Sequence, residues 1–396
     1  MTYKRLCVKK NIVIDFLLVF PFFAVQSLTL LGKNYSIFES IYNVLAVYRI
    51  MISAVTIICF IFKGYSLNFL SKGILIVELI TFTACWRNES LTFQFAITQC
   101  ISLVGFALLC QILDSEHSDD FLSANIYFWG VLCFLGVLST YIFPYGFNHA
   151  SITNDAIYFL GSKNAAYFYY AQYLFLRIYD RLSKNKPITS SIIILNIIFI
   201  SSTMICRSAN GTLMLVIILI SLLAIKYKSI FRKLLKPANV IMVSILMAMA
   251  IPLMTSGKLD FFFNLIGRES NFSARTYIWE SAIEMIKEKP LFGNGKDGDL
   301  VFFGRQTQAH NFYLDVAAKY GLVVIALIIF LVIVIGIYMK KGTNKECVFA
   351  GSLFMLTMLV HSLFDVTPMT YFILIMFFCY KIGSINKQEI HVKPVG

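Results

Sequence analysis

The sequence predicts an all-α polytopic membrane protein with about 12 transmembrane helices and one large extracytoplasmic loop that contains an amphipathic helix. Of its 396 residues, 58% are hydrophobic and only 14% are charged, and the mean hydropathy is +0.75. Soluble domains are about 45–50% apolar and about 25% charged. The excess of apolar residues must therefore face lipid.

Twelve apolar runs have the length, or nearly the length, of about 20 residues that a helix needs to cross a bilayer. The run near the N-terminus follows Lys9 and Lys10 and lacks a small-residue cleavage site, so we interpret it as a retained span. The third run is short, and an earlier start near Asn68 would lengthen it. The predicted spans are 12–31, 44–62, 73–86, 92–113, 124–142, 164–180, 188–206, 211–225, 238–256, 312–338, 347–364 and 370–383.

The distribution of Lys and Arg between the spans predicts the orientation. The chain has 34 Lys and Arg against 21 Asp and Glu, a net charge of +13, and this surplus collects in alternate connections. We therefore expect a membrane protein with both termini in the cytoplasm, and residues 257–311 as the outer loop of a single domain, 1–396. The acidic segment Asp114–Asp120 is the exception. The surplus indicates orientation toward anionic lipid and gives no support for nucleic-acid binding.

The outer loop contains one predicted helix, over 274–289. Its apolar residues recur at helical spacing and Pro290 ends it. We expect this helix to lie on the membrane surface or against the bundle, with Tyr277 and Trp279 in the headgroup region. The apolar positions are Ile278, Ala282, Met285 and Ile286.

Arg268 and Arg275 bracket the start of this helix. A guanidinium fits phosphate oxygens in pairs and adds to the positive end of a helix dipole, so these two residues are candidates for binding a diphosphate. The alternative is a surface ion pair with Glu269 or Glu280.

His310 and Asn311 stand where the loop re-enters the membrane. An imidazole is suited to accept a proton from a hydroxyl near neutral pH; the alternative is a hydrogen-bonded structural histidine. Among the charged residues inside the spans, Arg49 lies near an outer end and is a substrate-facing candidate. Asp315 and Lys319 are spaced to form a pair on one helix face.

Four segments together resemble the bacterial O-antigen ligase and polymerase superfamily. The resemblance is strongest from Arg207 to Asp365, with Lys163–Asn164 as a weaker fifth match. The segments are Cys206–Gly211; Ala274–Trp279 with the turn Pro290–Gly295; His310–Asn311 followed nine residues later by Gly321; and His361–Asp365.

The resemblance implies a GT-C-like membrane glycosyltransferase in the inner membrane of a bacterium. The outer segments show no cluster of residues with metal-ligand spacing, so we expect a reaction without a metal or other cofactor. Its expected substrate is an undecaprenyl-diphosphate-linked oligosaccharide in membrane lipid, and its candidate partner proteins are a flippase and a chain-length regulator. It implies catalytic roles for Arg207, Arg275 and His310. The expected substrate-binding residues are Arg268, Asp365, His361, Asn311 and Arg49.

Three functions stay open at this point. Val324, three residues after Gly321, departs from the small residue that is frequent in ligases, which favours a polymerase of capsule or O-antigen repeat units. An O-antigen ligase is the alternative, and Cys206 also departs from the usual serine. A flippase or transporter of lipid-linked sugars is the alternative of another class, although the two halves of the chain show no internal repeat.

Overall fold

Long helices form most of the part of the chain that the computed structural model describes, which comprises residues 11–24, 36–149, 156–226, 236–254, 275–296, 300–302 and 305–388. The helices are α1 Asn11–Ala24, α2 Ser36–Phe62, α3 Phe69–Arg87, α4 Phe93–Ile142, α5 Ala166–Ser183, α6 Ser190–Ile205, α7 Ala209–Lys226, α8 Pro237–Met254, α9 Arg275–Glu288, α10 Phe312–Tyr320, α11 Leu322–Lys340, α12 Lys345–His361 and α13 Met369–Gln388.

Apart from α9, which lies in the predicted outer loop, these helices overlap the predicted apolar runs. Four of them are long and apolar enough to span a bilayer, α2, α3, α4 and α11, and shorter apolar helices accompany them. Asn68 caps α3, accepting a hydrogen bond from the backbone N–H of Ser71, so the third helix does begin at the earlier position. These helices are compatible with a polytopic membrane protein, and the total of twelve spans stays a prediction.

The helix α4 is a hairpin of two limbs that meet at His117, whose backbone is not helical (φ −157°, ψ 62°). The ring of Phe23 lies 5.2 Å from Phe106 in the first limb and 5.8 Å from Phe128 in the second. A straight helix would separate residues 106 and 128 by about 33 Å at ~1.5 Å per residue. The chain therefore reverses at His117, and the limbs correspond to the separate predicted spans 92–113 and 124–142.

The reversal at His117 places the acidic segment among basic residues. Glu116 accepts a hydrogen bond from Lys63 (2.7 Å), Asp114 pairs with Lys381, and His117 lies 2.8 Å from the buried Asp15. We call this the basic end of the bundle. The acidic segment Asp114–Asp120 therefore lies at the same end of the bundle as Lys63 and Lys381, which belong to connections predicted to be cytoplasmic.

One predicted span is wrong as a continuous helix. The run 312–338 divides into α10 and α11 at Gly321, whose φ of +87° ends α10. A Cβ at Gly321 would lie 2.1 Å from the carbonyl oxygen of Leu291. The break arises because the chain after Pro290 packs backbone to backbone on this position.

Two small antiparallel sheets depart from the predicted all-α fold. The strands are β1 Asn148–His149, β2 Ala156–Tyr158 and β3 Gly161–Ser162 in one sheet, with β4 Leu300–Phe302 and β5 Arg305–Thr307 in the other. In the first sheet Ile157 pairs with Asn148 and with Ser162. Such short strands in connecting loops carry no periodicity that the sequence could display.

The core lies around α5, most of which is buried. The fully buried Trp129 of α4 packs edge to face against Tyr169 of α5 and Tyr371 of α13. At the opposite end of the bundle from His117, the ends of α3 and α10 bond to the loop segment that follows α9, and the connections after α6 and α12 bond to each other. We call this the loop end.

Candidate functional site

Arg207 occupies a tight turn between α6 and α7. Its φ is +57°, and it is exposed although Cys206 and Ser208 on either side are buried. The Ser208 backbone N–H bonds to the Thr203 carbonyl (2.9 Å), and its hydroxyl donates to Oδ1 of Asn164 (3.0 Å). The turn is therefore fixed on both sides while the Arg207 side chain is accessible.

Tyr158 of β2 supports this turn and was missed in the sequence. Its hydroxyl donates to the carbonyl of Pro144 (2.9 Å) and also lies against the Cys206 thiol. Burial raises the pKa of Tyr158 to about 12, and the positive charge of Arg207 acts in the opposite direction. The interaction shows that the Arg207 charge lies close to the Tyr158 phenol. An isolated tyrosine in a loop gives no sequence signal for such a position.

His310 is the second predicted catalytic residue in a left-handed backbone conformation, with φ +49°. The residue before it is fixed twice: the Ala309 N–H donates to Asp315 Oδ1 (3.1 Å), and the Ala309 carbonyl accepts from the Trp279 indole (2.8 Å). Four described non-glycine residues have positive φ: Glu89, Asn185, Arg207 and His310. Such conformations are costly outside glycine and concentrate at functional sites.

Asn311 is the N-cap of α10 and is fully buried. Its Oδ1 accepts hydrogen bonds from the N–H groups of Tyr313 and Leu314. Its Nδ2 has no hydrogen-bond partner among the described residues. The cap fixes the start of α10 directly after His310, and the substrate-binding role of Asn311 stays a prediction.

The loop helix α9 confirms the predicted helix to within one residue at each end, but Trp279 does not lie in a headgroup region. It is 2% exposed and packs with Ile278, Ala282, Ala309 and Leu314, while Tyr277 is 65% exposed. The indole can be buried in these apolar contacts because its N–H donates to the Ala309 carbonyl. Helix α9 thus packs against the bundle beside His310.

Arg275 is the first residue of α9, one turn before Trp279. Residues one turn apart share a helix face, so the backbone of α9 places Arg275 on the face that carries Trp279. The description of Arg275 is limited to its backbone, and Arg268 lies outside the described residues.

The turn Pro290–Gly295 packs onto the end of α10. The N–H groups of Asn294 and Gly295 bond to the carbonyls of Ala318 (2.9 Å) and Lys319 (2.8 Å). A Cβ at Gly293 would lie 2.4 Å from the Lys319 oxygen. The glycines of this turn therefore allow two segments of the protein's own backbone to approach closely.

His361, at the end of α12, is fully buried. Its ring stacks on Tyr167 (centroids 4.2 Å apart) and meets the edge of Phe168 (4.7 Å). Neither ring nitrogen has a hydrogen-bond partner among the described residues. The carboxylate of Asp365 accepts from the Val366 N–H (2.8 Å) and does not bond to the ring of His361.

Direct hydrogen bonds join the four segments at the loop end. The Asn210 amide donates to the His361 carbonyl (3.3 Å), and the Phe312 N–H donates to the Ser362 carbonyl (2.8 Å). Trp279 links α9 to the residue before His310. The structure therefore brings the segments of Arg207, Arg275, His310 and His361 together, although they are distant in sequence.

The remaining predicted positions lie apart from this network or form pairs. Arg49 donates from its guanidinium to the Thr98 carbonyl (3.2 Å) in a π-helical turn of α4. Asp315 and Lys319 form the predicted ion pair (3.3 Å). In the described part of the chain, no group of three or more His, Cys, Asp or Glu side chains is arranged to hold a metal ion.

Comparison with known proteins gives two matches. Residues 194–330 match the protein-family model Wzy_C, described as O-Antigen ligase; this range includes Arg207, Arg275 and His310, and Asp365 lies beyond it. A protein of Haemophilus influenzae, described as an uncharacterized protein, is 32% identical over 92 residues, which are 20% of this chain and 23% of the relative. The match thus covers less than a quarter of that relative.

Proposed function

We propose that this chain transfers a glycan from undecaprenyl diphosphate to an acceptor hydroxyl. The match of residues 194–330 to a family model described as O-Antigen ligase supports this proposal. The acceptor is a lipid-linked sugar at the outer face of the bacterial inner membrane. The observation that carries the proposal is the hydrogen-bonded convergence of four segments, of which Asn210 to His361 is one link. This convergence gives Arg207 and His310 a shared, rigid framework.

The chemistry requires stabilisation of a departing diphosphate. The acceptor oxygen attacks the anomeric carbon, the bond from that carbon to the diphosphate oxygen breaks, and the electron pair leaves with the diphosphate. Arg207 and Arg275 are proposed to bind the developing charge, with Arg268 as a third contact. Loss of one such donor typically lowers the rate about 10²–10³-fold. The exposure of Arg207 above a fixed turn supports this role.

His310 is proposed to take the proton of the attacking hydroxyl. Its neighbour Ala309 is held by Trp279 and Asp315, so the main chain that presents the imidazole is rigid. A general base contributes typically 10²–10⁴-fold when it is positioned within hydrogen-bond reach of the proton. A rigid main chain around His310 therefore suits the transfer of this proton to the imidazole.

The other predicted site residues are proposed to contact the substrate or to hold the framework. Asp365 and Asn311 lie in segments that are hydrogen-bonded to one another through Phe312 and Ser362, which supports a shared role near the acceptor sugar. His361 supports the framework through its stack on Tyr167. Arg49, which donates to the Thr98 carbonyl, is proposed as a peripheral contact for the substrate.

A repeat-unit polymerase is the first choice because Val324 departs from the ligase pattern; Val324 is buried in the first turn of α11. An O-antigen ligase is the second candidate, since that is the description of the matching family model. The products separate the two. Deletion of a polymerase leaves single repeat units on their final acceptor, whereas deletion of a ligase leaves finished chains on the lipid carrier.

A transport assay separates either enzyme from a flippase. Purified protein in proteoliposomes, given lipid-linked repeat units, should lengthen or transfer glycan in a manner that depends on His310. The transporter would be favoured by two results together. The intact protein would transfer no glycan, and a variant with both Arg207 and His310 replaced would still translocate the lipid-linked sugar. If the chain is the enzyme, the flippase and the chain-length regulator expected as its partners are separate proteins.

A further inference from the structure

A groove of about 440 Å³ lies between α2, α3 and the first limb of α4, near the basic end. Apolar side chains from all three helices form its walls: Ile57 and Ile61 from α2, Leu75 from α3, and Val104 and Leu108 from α4. This volume is within the range of about 300–1,000 Å³ that is typical of ligand sites. The groove is separate from the segments that meet at the loop end.

The groove opens on a lipid-facing surface. Along α2, Val55 is 58% exposed, Ile58 51%, Ile61 70% and Phe62 86%. A continuous exposed apolar face of this kind on a membrane helix contacts acyl chains. An apolar molecule therefore enters the groove directly from the hydrocarbon region.

A single unpaired cation stands at the groove. Lys72 lines it and is exposed, and its side chain has no partner among the described residues, in contrast to Lys63, which is paired with Glu116. Lys72 lies in the first turn of α3, where the helix dipole disfavours a positive charge. An anion bound beside Lys72 would pair with its charge and offset its unfavourable interaction with the helix dipole.

We infer that this groove binds one anionic glycerophospholipid, with an acyl chain between Ile57, Leu75 and Leu108 and the phosphate beside Lys72. The polar groups that flank Lys72 are already engaged: the Ser71 hydroxyl bonds to Gln111 (2.9 Å), and the Tyr65 hydroxyl to Glu116 (2.6 Å). The charge of Lys72 therefore determines selectivity, and the apolar walls supply affinity. The site does not depend on the proposed function.

Native mass spectrometry of the intact protein tests the inference, with titration of phosphatidylglycerol or phosphatidylcholine into the detergent micelles. The variants are Lys72→Ala, Leu75→Trp, which fills the groove, and Lys186→Ala as the control, because Lys186 is an exposed lysine outside the groove. A lysine beside a lipid surface contributes about 1 kcal/mol. We therefore expect Lys72→Ala to weaken phosphatidylglycerol binding about fivefold, since 1.4 kcal/mol is tenfold.

Leu75→Trp should abolish retention of the tightly bound lipid, and Lys186→Ala should leave it unchanged. Thermal unfolding midpoints and monodispersity, measured on each variant, separate lost binding from lost folding. Equal retention of phosphatidylcholine and phosphatidylglycerol would overturn the inference, as would equal effects of Lys72→Ala and Lys186→Ala. Displacement of phosphatidylglycerol by stoichiometric undecaprenyl phosphate would also overturn it, because the occupant would then be the lipid carrier.

Discussion

The side-chain amide of Asn210 at the start of α7 donates a hydrogen bond of 3.3 Å to the main-chain carbonyl of His361 at the end of α12. The two residues are 151 positions apart. Asn210 is also three residues after Arg207, so the bond ties the turn that presents a predicted catalytic arginine to the segment that ends at Asp365. The loop end is thereby one framework rather than a set of independent loops.

Substitution of Arg207 should lower the activity of the protein without lowering its stability. Its left-handed backbone (φ +57°) suits Asn and Gly better than Arg. Arg207→Asn and Arg207→Gly should therefore keep or slightly raise the thermal midpoint, while glycan transfer falls about 10²-fold or more because a diphosphate contact is lost. Initial rates and melting curves on the same detergent-purified samples measure both. Retained activity in Arg207→Asn would remove Arg207 from the mechanism.

Trp279 should act on the site through Ala309. Trp279→Phe keeps most of the ring but leaves the buried Ala309 carbonyl unpaired, which costs about 1–3 kcal/mol, and it frees the main chain before His310. We expect a fall in kcat with little change in KM. Tyr277→Phe is the matched control, since Tyr277 is exposed on the same helix. Identical kinetics of the two variants would show that α9 does not position His310.

The glycines of the loop end should be irreplaceable for structural reasons. An added Cβ would lie 2.4 Å from a backbone oxygen at Gly293 and 2.1 Å from one at Gly321. Gly64 has a similar φ of +65°, with no atom within 4 Å of the added Cβ. Gly293→Ala and Gly321→Ala should therefore unfold at clearly lower temperature than Gly64→Ala, which carries only the backbone cost of about 1 kcal/mol. Equal melting curves would contradict this packing.

The contact between Lys63 and Glu116 should give a pH-dependent stability. Hydrogen bonds from Lys63 and from Tyr65 lower the pKa of Glu116 below its ordinary value of 4.5. A carboxyl group with a lowered pKa stabilises the folded state above its unfolded pKa, and this contribution is lost as the pH falls through the folded value. Because both partners are over one-third exposed, solvent screening should keep the effect small.

The variant Glu116→Gln should consequently be less stable than the parent protein at pH 7 and equally stable well below pH 4.5. Melting curves from pH 7 to well below pH 4.5 follow the convergence, with Glu284→Gln as an exposed control on α9. A difference that stays constant over this range would show that the ion pair is not the cause.

The sequence predicted the helices well because long apolar runs are the strongest signal of a membrane protein. It failed at Gly321, since a glycine inside an apolar run is compatible with a continuous helix and only contact with Leu291 dictates the break. The reversal at His117 was predicted from polarity alone, and its partners Asp15 and Lys381 come from distant helices.

The residues of the candidate site could likewise be predicted from the sequence only in part. The order of the motifs identified Arg207, Arg275 and His310 as candidates, and the structure joins their segments. Trp279 was predicted to face headgroups because an aromatic residue on an amphipathic helix is ambiguous between a lipid surface and a protein contact. Tyr158 could not be found, because its relation to Arg207 depends on a small sheet that no local pattern encodes.

The most direct test of the account is the rate of glycan transfer by purified His310→Ala, with undecaprenyl-diphosphate-linked repeat units as donor and acceptor and with a thermal midpoint recorded on the same sample. The account predicts that polymer formation falls at least about 10²-fold while the midpoint and donor binding stay close to those of the parent protein. Full activity of a well-folded His310→Ala protein would contradict the proposed mechanism.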